Sequence, residues 1–477
     1  MAFTPAPGLR VHTSKFGSGT VVRLTRTGAV VALDRMARLE VDVPLDQLAE
    51  VDDGGVANKA SPTPPSSVGT SYSSAAAASF ESRMEPVAAL DEVGFRARRS
   101  VEALRFGIVP THSVGDVTLG YEELEHWVSQ QLPTAARSRP TVSEICGPFG
   151  TGKSHTMAAI RHIAESRGFV TAHVEVDGNS ISLSDPASVL RQLWRTLAAP
   201  GLESPTPLVD LNVRAIERGR SLAVAALARF ERVRSNLLTI ATLKRSNCID
   251  KHGETMELLL SCGDEVTAID AKRMMIPDAS GGAIWGGYAE FVIEPKRLIG
   301  LRTDDRPDDF VECLVGYSVL ARLAGFEGLV VTIDEFEVEA ASLSYQRIER
   351  LKGVISALST WFGGSGPQKT GPLSVFIATV GQEGHIGDSI VDILISNSNG
   401  AQHPLSPWSR SAHRQLAEKI FALYCHAYSL TCEFDASLAI RVQTLLDSAD
   451  VEGSGMIRAF IKRYLAELDT AYGPGAT

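Results

Sequence analysis

Apolar and polar positions change their rhythm along this chain, and each change marks an element. From Gly8 to Asp52 the apolar residues come in short runs punctuated by Gly17 and Gly19: Thr20-Val21-Val22-Arg23-Leu24, Ala29-Val30-Val31-Ala32-Leu33 and Leu39-Glu40-Val41-Asp42-Val43. Such runs are read as strands, and a small all-β barrel is expected over residues 1–52. Between Asp53 and about Met84 come Pro62, Pro64, Pro65, many serines and Ala75 to Ala78. That composition has too few large apolar side chains to pack a core, so residues 53–91 are expected to form a flexible linker.

Helical spacing begins after the linker. Phe95 to Phe106 carries Val101 and Leu104 beside Arg96, Arg98, Arg99 and Arg105, whose guanidiniums are expected on a solvated face; Gly107-Ile108-Val109-Pro110 stops the helix. Tyr121 to Gln130 places Leu124 and Trp127 on one face. Val142 to Cys146 is a short apolar strand that runs into glycines; Met157, Ile160, Ile163 and Ala164 then recur at helical spacing, and Phe169 to Asp177 alternates. Strand, loop, helix and strand in that order open a parallel α/β sheet. The stretch from about Ala187 to Leu323 is mainly helical, with an alanine- and arginine-rich part from Val213 to Leu238 and breaks at Gly281-Gly282 and Gly286-Gly287. Sheet-like runs resume at Gly328 to Ile333 and Leu373 to Thr379. From about Ser411 the pattern is helical again, with Leu416, Ile420, Leu423 and Tyr424 on one stripe and a second amphipathic segment from Met456 to Leu465. The expected fold class is α/β over residues 92–405, with a helical insertion around 187–323 and a C-terminal helical domain over 406–477.

Composition narrows the function classes. The chain has 477 residues and a net charge of -10, so it carries no general electrostatic footprint for nucleic acid or an anionic membrane. Any DNA contact is expected to be local or supplied by a partner. Acidic and basic residues balance between Gly8 and Asp52, which favours a protein contact over a phosphate backbone there. Cysteines 146, 248, 262, 313, 425 and 432 form no CxxC pair, so neither a zinc site nor a disulfide framework is expected. Met1 to Leu9 does not read as a secretory signal and no apolar run is long enough to span a membrane. A cytoplasmic location is expected.

Gly147-Pro148-Phe149-Gly150-Thr151-Gly152-Lys153-Ser154 fits G-x-x-x-x-G-K-S/T between a strand and a helix. Glycines let the backbone wrap a phosphate, and consecutive N–H groups at a helix start supply a positive field. Pro148 has no N–H, so the cradle falls to the amides from about Gly150 to Ser154, with His155 next in line. ATP is the expected ligand: Lys153 would neutralise the β- and γ-phosphates and Ser154 would ligate Mg²⁺. Leu329-Val330-Val331-Thr332-Ile333 then runs into Asp334-Glu335, two carboxylates at a strand end. Asp334 would hold Mg²⁺, and Glu335 would orient and polarise the attacking water. Thr379 is placed like a polar sensor of the γ-phosphate, with Gln382 competing for the role. Arg458 is a candidate sensor arginine reaching the γ-phosphate from the C-terminal helices, with Arg410 and Arg414 competing for that role or for an intersubunit finger.

Two resemblances add to this reading. Val11-His12-Thr13-Ser14-Lys15-Phe16-Gly17-Ser18-Gly19-Thr20-Val21 resembles the start of the Tudor-like, SH3-like barrel found at the C-terminus of UvrD-type helicases. The run from Arg98 to Pro110, Gly120, the phosphate loop and Gly325 to Glu337 together resemble the ATP-binding proteins of BREX-type phage-defence systems, P-loop ATPases near the AAA+ and STAND groups. That resemblance implies an AAA+-like ATPase module in a multi-gene antiviral system, working alongside a helicase, nuclease or other DNA-acting partner. It also implies that Gly120, with Leu119 and Tyr121, lies near the nucleotide base. AAA+ practice would add a homo-oligomer whose neighbouring subunit supplies an arginine.

Three uses of the nucleotide compete. One is a mechanochemical ATPase that remodels a defence complex on DNA. Another is a nucleotide-gated scaffold or sensor with slow hydrolysis. The third is a DNA-loading ATPase of initiator or transposition type, against which the acidic balance counts.

Overall fold

The computed structural model describes five strands within residues 10–50. It then describes residues 92–134, 139–177, 180–202, 204–245, 306–336, 345–363, 371–381, 386–398, 400–406, 408–447 and 456–472, with isolated helical positions between 249 and 260. The chain divides into two compact units, Met1–Val87 and Ala88–Thr477. In the first, β1 (Arg10–Thr13), β2 (Gly17–Leu24), β3 (Gly28–Leu33), β4 (Glu40–Pro44) and β5 (Leu48–Glu50) pair antiparallel in the order β4-β3-β2-β1-β5. The expected linker, and the turns on which a Tudor-like barrel would depend, lie outside the described residues.

In the second unit α1 (Glu92–Phe106), the short α2 (Val114–Val117) and α3 (Tyr121–Gln131) precede β6 (Thr141–Cys146). Helix α4 (Lys153–Ser166) and β7 (Val170–Glu175) complete the strand, loop, helix and strand read from the sequence. Four helices, α5 (Pro186–Arg195), α6 (Pro207–Ala226), α7 (Glu231–Arg245) and α8 (Pro307–Leu323), come before β8 (Leu329–Asp334). They are followed by α9 (Tyr345–Gly363), β9 (Leu373–Thr379), α10 (Ile386–Ser398) and β10 (Gln402–Pro404), then by α11 (Arg410–Tyr428), α12 (Ala436–Asp447) and α13 (Met456–Tyr472).

Strands β6 to β10 form one parallel sheet in the order β10-β6-β9-β8-β7, which makes the unit an α/β fold compatible with a P-loop nucleotide-binding protein. β8 and β9 are buried along their whole length, which is why they read as continuous apolar runs: a parallel sheet is covered on both faces. Alternation assigns each side chain to a face. Val331 and Ile333 pack with Trp194, Leu237, Leu314 and Val354 from the helices on one side. Val330 packs on the other with Ile145, Phe376 and the α4 residues Met157, Ile160 and Ile163. The helices expected as an insertion therefore supply much of one core. β10 was not anticipated, because three residues with only the middle one half-buried carry no alternation signal. Pro404, which has no N–H, is tolerated there on an edge strand.

A third cluster joins α1 to the C-terminal helices. Ala97, Val101 and Leu104 pack with Ile420, Tyr424 and Phe460, so this cluster crosses the boundary expected at residue 406. Arg96 and Arg99 are exposed, as a solvated face requires, but Arg105 departs from that expectation. It is half-buried and donates to Asp469 at 2.5 Å, the Tyr428 hydroxyl at 3.1 Å and Glu102 at 2.9 Å, joining α1 to α11 and α13. Among the described residues no helix is long and apolar enough to cross a membrane.

The shared cluster can be tested directly. Leu468 is fully buried in it, so Leu468→Ala should lower the unfolding free energy by about 2–5 kcal/mol in urea titrations followed by helical circular dichroism. Ile440→Ala, at an exposed position on α12, should change it by less than about 0.5 kcal/mol.

Candidate functional site

The site grows from the turn between β6 and α4. Gly150 has φ +82 and Gly152 has φ +98, left-handed values that glycine adopts without strain. Thr151 folds the turn on itself, its N–H at 3.4 Å and its hydroxyl at 2.8 Å from the Pro148 carbonyl. Gly152 caps α4 with no side-chain hydrogen bond, so the first amides of the helix are left to the loop's surroundings. Lys153 is buried at the helix start. Its Nζ donates to the Gly147 carbonyl at 2.9 Å and lies 4.9 Å from the centre of the Phe149 ring.

A cleft of about 290 Å³ opens at this turn. Phe149, Gly150, Gly152, Lys153, Ser154 and His155 line it from the loop; Asp334 and Glu335 line it from the end of β8, and Arg458 lines it from α13. Asp334 follows Val330 and Thr332 in alternation, so its carboxylate emerges on the α4 face of the sheet. It is buried, and its Oδ1 accepts the Glu335 N–H at 3.0 Å. Glu335 is exposed at φ +57, a left-handed backbone for a residue with a Cβ. Such a conformation costs on the order of 1–3 kcal/mol and clusters at functional sites.

Polar groups brace the carboxylate strand on the same face. Arg161 of α4 donates to the Thr332 hydroxyl at 3.1 Å, and His173 Nδ1 lies 2.9 Å from the same oxygen. Burial lowers the Arg161 pKa from its ordinary value, with Glu165 and Asp334 opposing the shift. Burial, aided by Arg161, lowers His173 to about 4. His155 is likewise pushed down to about 4 by burial, so its ring is neutral near pH 7; its Nε2 lies 2.8 Å from the Thr118 hydroxyl.

Some expected site residues lie elsewhere. Thr379 is fully buried, and alternation with Val375 and Ile377 turns it to the face away from α4. Its hydroxyl donates to Glu144 at 2.5 Å, while its carbonyl accepts the Gly147 N–H at 3.2 Å. It therefore braces the loop from below and does not line the cleft. Gly120 is also outside the lining. It takes φ +61 to cap α3, a local turn requirement. Leu119 packs against the C-terminal cluster and Tyr121 against the α4 cluster. Arg410 pairs with Asp447 at 2.8 Å and Arg414 with Glu418 at 3.3 Å; both are exposed and neither lines the cleft. Gln382 lies outside the described residues.

The apolar part of the lining carries no contiguous sequence signal. Ile108, Val109, Pro110, Leu416, Ile457 and Ile461 also line the cleft, and Trp408 joins them from beside the loop, its indole N–H on the Thr151 carbonyl. Leu416 and Met456 to Leu465 were legible as helical stripes, but nothing in their spacing indicates what the stripes face.

The low His173 pKa fixes a pH dependence. Its folded value of about 4 lies below the usual 6.5, so the unfolded chain binds more protons between these values. The stabilising contribution is complete above about pH 6.5 and disappears as pH falls toward 4. His173→Asn should flatten the loss of stability on acidification by up to about 1.4 kcal/mol per pH unit, measured by denaturant titration at stepped pH.

One known family matches part of the chain. The family model described as BREX system ATP-binding protein BrxC/D matches residues 95–206. No curated protein matches the chain. The matched span contains most of α1, the Gly147–Ser154 loop, α4, β7 and α5 and ends before Asp334, so the chain is similar to that ATP-binding family over residues 95–206.

Proposed function

We propose that this chain is an ATPase of an antiviral defence complex. It would hold ATP in the cleft between the phosphate loop and the C-terminal helices and hydrolyse it to ADP and phosphate. The observation that carries the reading is the convergence of Lys153, Ser154, Asp334, Glu335 and Arg458 on one cleft. The amides from Gly150 to Ser154 and the positive end of α4 suit the phosphates, and Lys153 reaches them by leaving the Gly147 carbonyl. The apolar wall of Ile108, Val109, Leu416, Ile457 and Ile461 suits the base.

The donor set also fits Mg²⁺: the Ser154 hydroxyl and the Asp334 carboxylate are hard oxygen ligands on the same cleft. Bound there, the ion would neutralise phosphate charge. Glu335 orients a water for attack on the γ-phosphorus and draws off its proton as the bond to the leaving ADP oxygen breaks. Arg458 balances charge on the phosphates. The similarity to BREX ATP-binding proteins supports the defence role, with a helicase or nuclease as the partner that uses the cycle.

A nucleotide-gated scaffold with slow hydrolysis is the second reading. It is favoured by α1, α11 and α13 walling the cleft, so that bound nucleotide would bridge the sheet and the helical cluster. Steady-state phosphate release, measured alone and with DNA and partner proteins, separates the two.

Lys153→Ala should abolish ATP binding, and Glu335→Gln should bind ATP with wild-type affinity while releasing no phosphate above background. Unchanged turnover in Glu335→Gln would remove Glu335 from the mechanism.

A further inference from the structure

The phosphate loop is held from outside by the chain that leads into the C-terminal helices. Leu405, the residue after β10, donates its N–H to the Cys146 carbonyl at 2.7 Å. A Cβ on Gly147 would come within 3.0 Å of the Leu405 Cβ and carbonyl oxygen, so the two segments are in close contact. Three residues on, Trp408 donates its indole Nε1–H to the Thr151 carbonyl at 2.9 Å. Its ring lines the cleft beside Gly152, whose added Cβ would lie 3.9 Å from Trp408 Cζ2. The ring is held in turn: it meets His413 edge-on at 5.7 Å between centroids, and His413 meets Phe460 at 5.2 Å. His413 is buried, with Nδ1 2.8 Å from the Ser409 carbonyl. Phe460 stands two residues after Arg458 on α13.

We propose that Trp408 is a positioning residue that locks the Thr151–Gly152 peptide in its anion-binding orientation and so ties phosphate affinity to the seating of the C-terminal helices. A trans peptide carries its C=O and N–H on opposite sides, and the described backbone contains no cis peptide. Holding the Thr151 oxygen on the indole therefore turns the Gly152 N–H the other way, as a phosphate cradle requires. The Thr151 N–H and hydroxyl both turn back to Pro148 and leave the carbonyl to the indole. Gly152, at φ +98, tolerates either orientation of that peptide at little steric cost, so the lock must come from outside the loop. A flipped peptide would offer the phosphates a carbonyl oxygen where a charge-assisted hydrogen bond should form. Any shift of α11 against α13 would reach the loop through Phe460, His413 and Trp408.

This inference rests on the cleft being an ATP site, and its test separates the two claims. Trp408→Phe keeps a ring and removes the N–H. Benzothienylalanine at position 408, which keeps the indole outline with sulfur in place of N–H, serves if the phenylalanine variant disturbs the fold. Calorimetric titration of the full chain with ATP and with adenosine should show ATP binding weakened about 10- to 100-fold. Adenosine affinity should stay within about twofold, and the thermal midpoint without nucleotide within about 2 °C. Equal losses for ATP and adenosine would make Trp408 a wall or packing residue and overturn the proposal. Unchanged ATP affinity would overturn it as well. Failure of the wild-type chain to bind ATP would instead overturn the nucleotide reading, and the positioning role with it.

Discussion

Side-chain alternation along β8 is the constraint on which the site depends. Val331 and Ile333 are committed to one apolar core, and Val330 to the other. A slip of one residue in the pairing of this strand would put Thr332 and Asp334 into the first core and carry Val331 to the α4 side. Burying an unpaired carboxylate in that way would cost several kcal/mol, whereas the native register buries Val330, Val331 and Ile333 at a gain of roughly 1.5–3 kcal/mol each. The same packing that stabilises the sheet thus decides that Asp334 faces the helix carrying Lys153 and Ser154. Arg161 and His173, bonded to Thr332 one alternation earlier, hold that face of the strand.

The second determinant is the cluster that ties α1 to α11, α12 and α13. It brings Ile108 to Pro110, just beyond α1, opposite the phosphate loop and sets Leu416, Ile457 and Arg458 beside them. The cleft therefore has a polar wall made by the sheet and its loop and an apolar wall made by helices distant in sequence. A nucleotide with a charged tail and a flat base matches that division. Trp408 touches both walls, since it bonds the loop and packs toward His413 and Phe460.

Much of the polar wall was legible in the sequence, because its signals are contiguous. Gly147 to Ser154 and Leu329 to Glu335 each carry backbone requirement, burial and chemistry within a few residues. The parallel α/β class followed from the same runs. What could not be read is what tertiary packing brings together. Trp408, Ile108 and Ile461 acquire their place only when α1 and α13 share a core. Thr379 shows the limit in finer detail: its strand was identified, but only the pairing and alternation of β9 reveal that its side chain turns to Glu144 and away from α4. Gly120, which resemblance associates with the base, stands in a left-handed turn that caps α3.

On the proposed function, one cleft binds the whole nucleotide, its phosphates on the loop and its base against the C-terminal helices. A structure of the protein determined with Mg²⁺ and a non-hydrolysable ATP analogue tests it most directly. Density is expected for the β-phosphate within hydrogen-bonding distance of Gly152 and Lys153, and for the adenine between Val109 and Ile457. Phosphates bound away from the loop, or a base directed to solvent with the apolar wall unchanged, would contradict it.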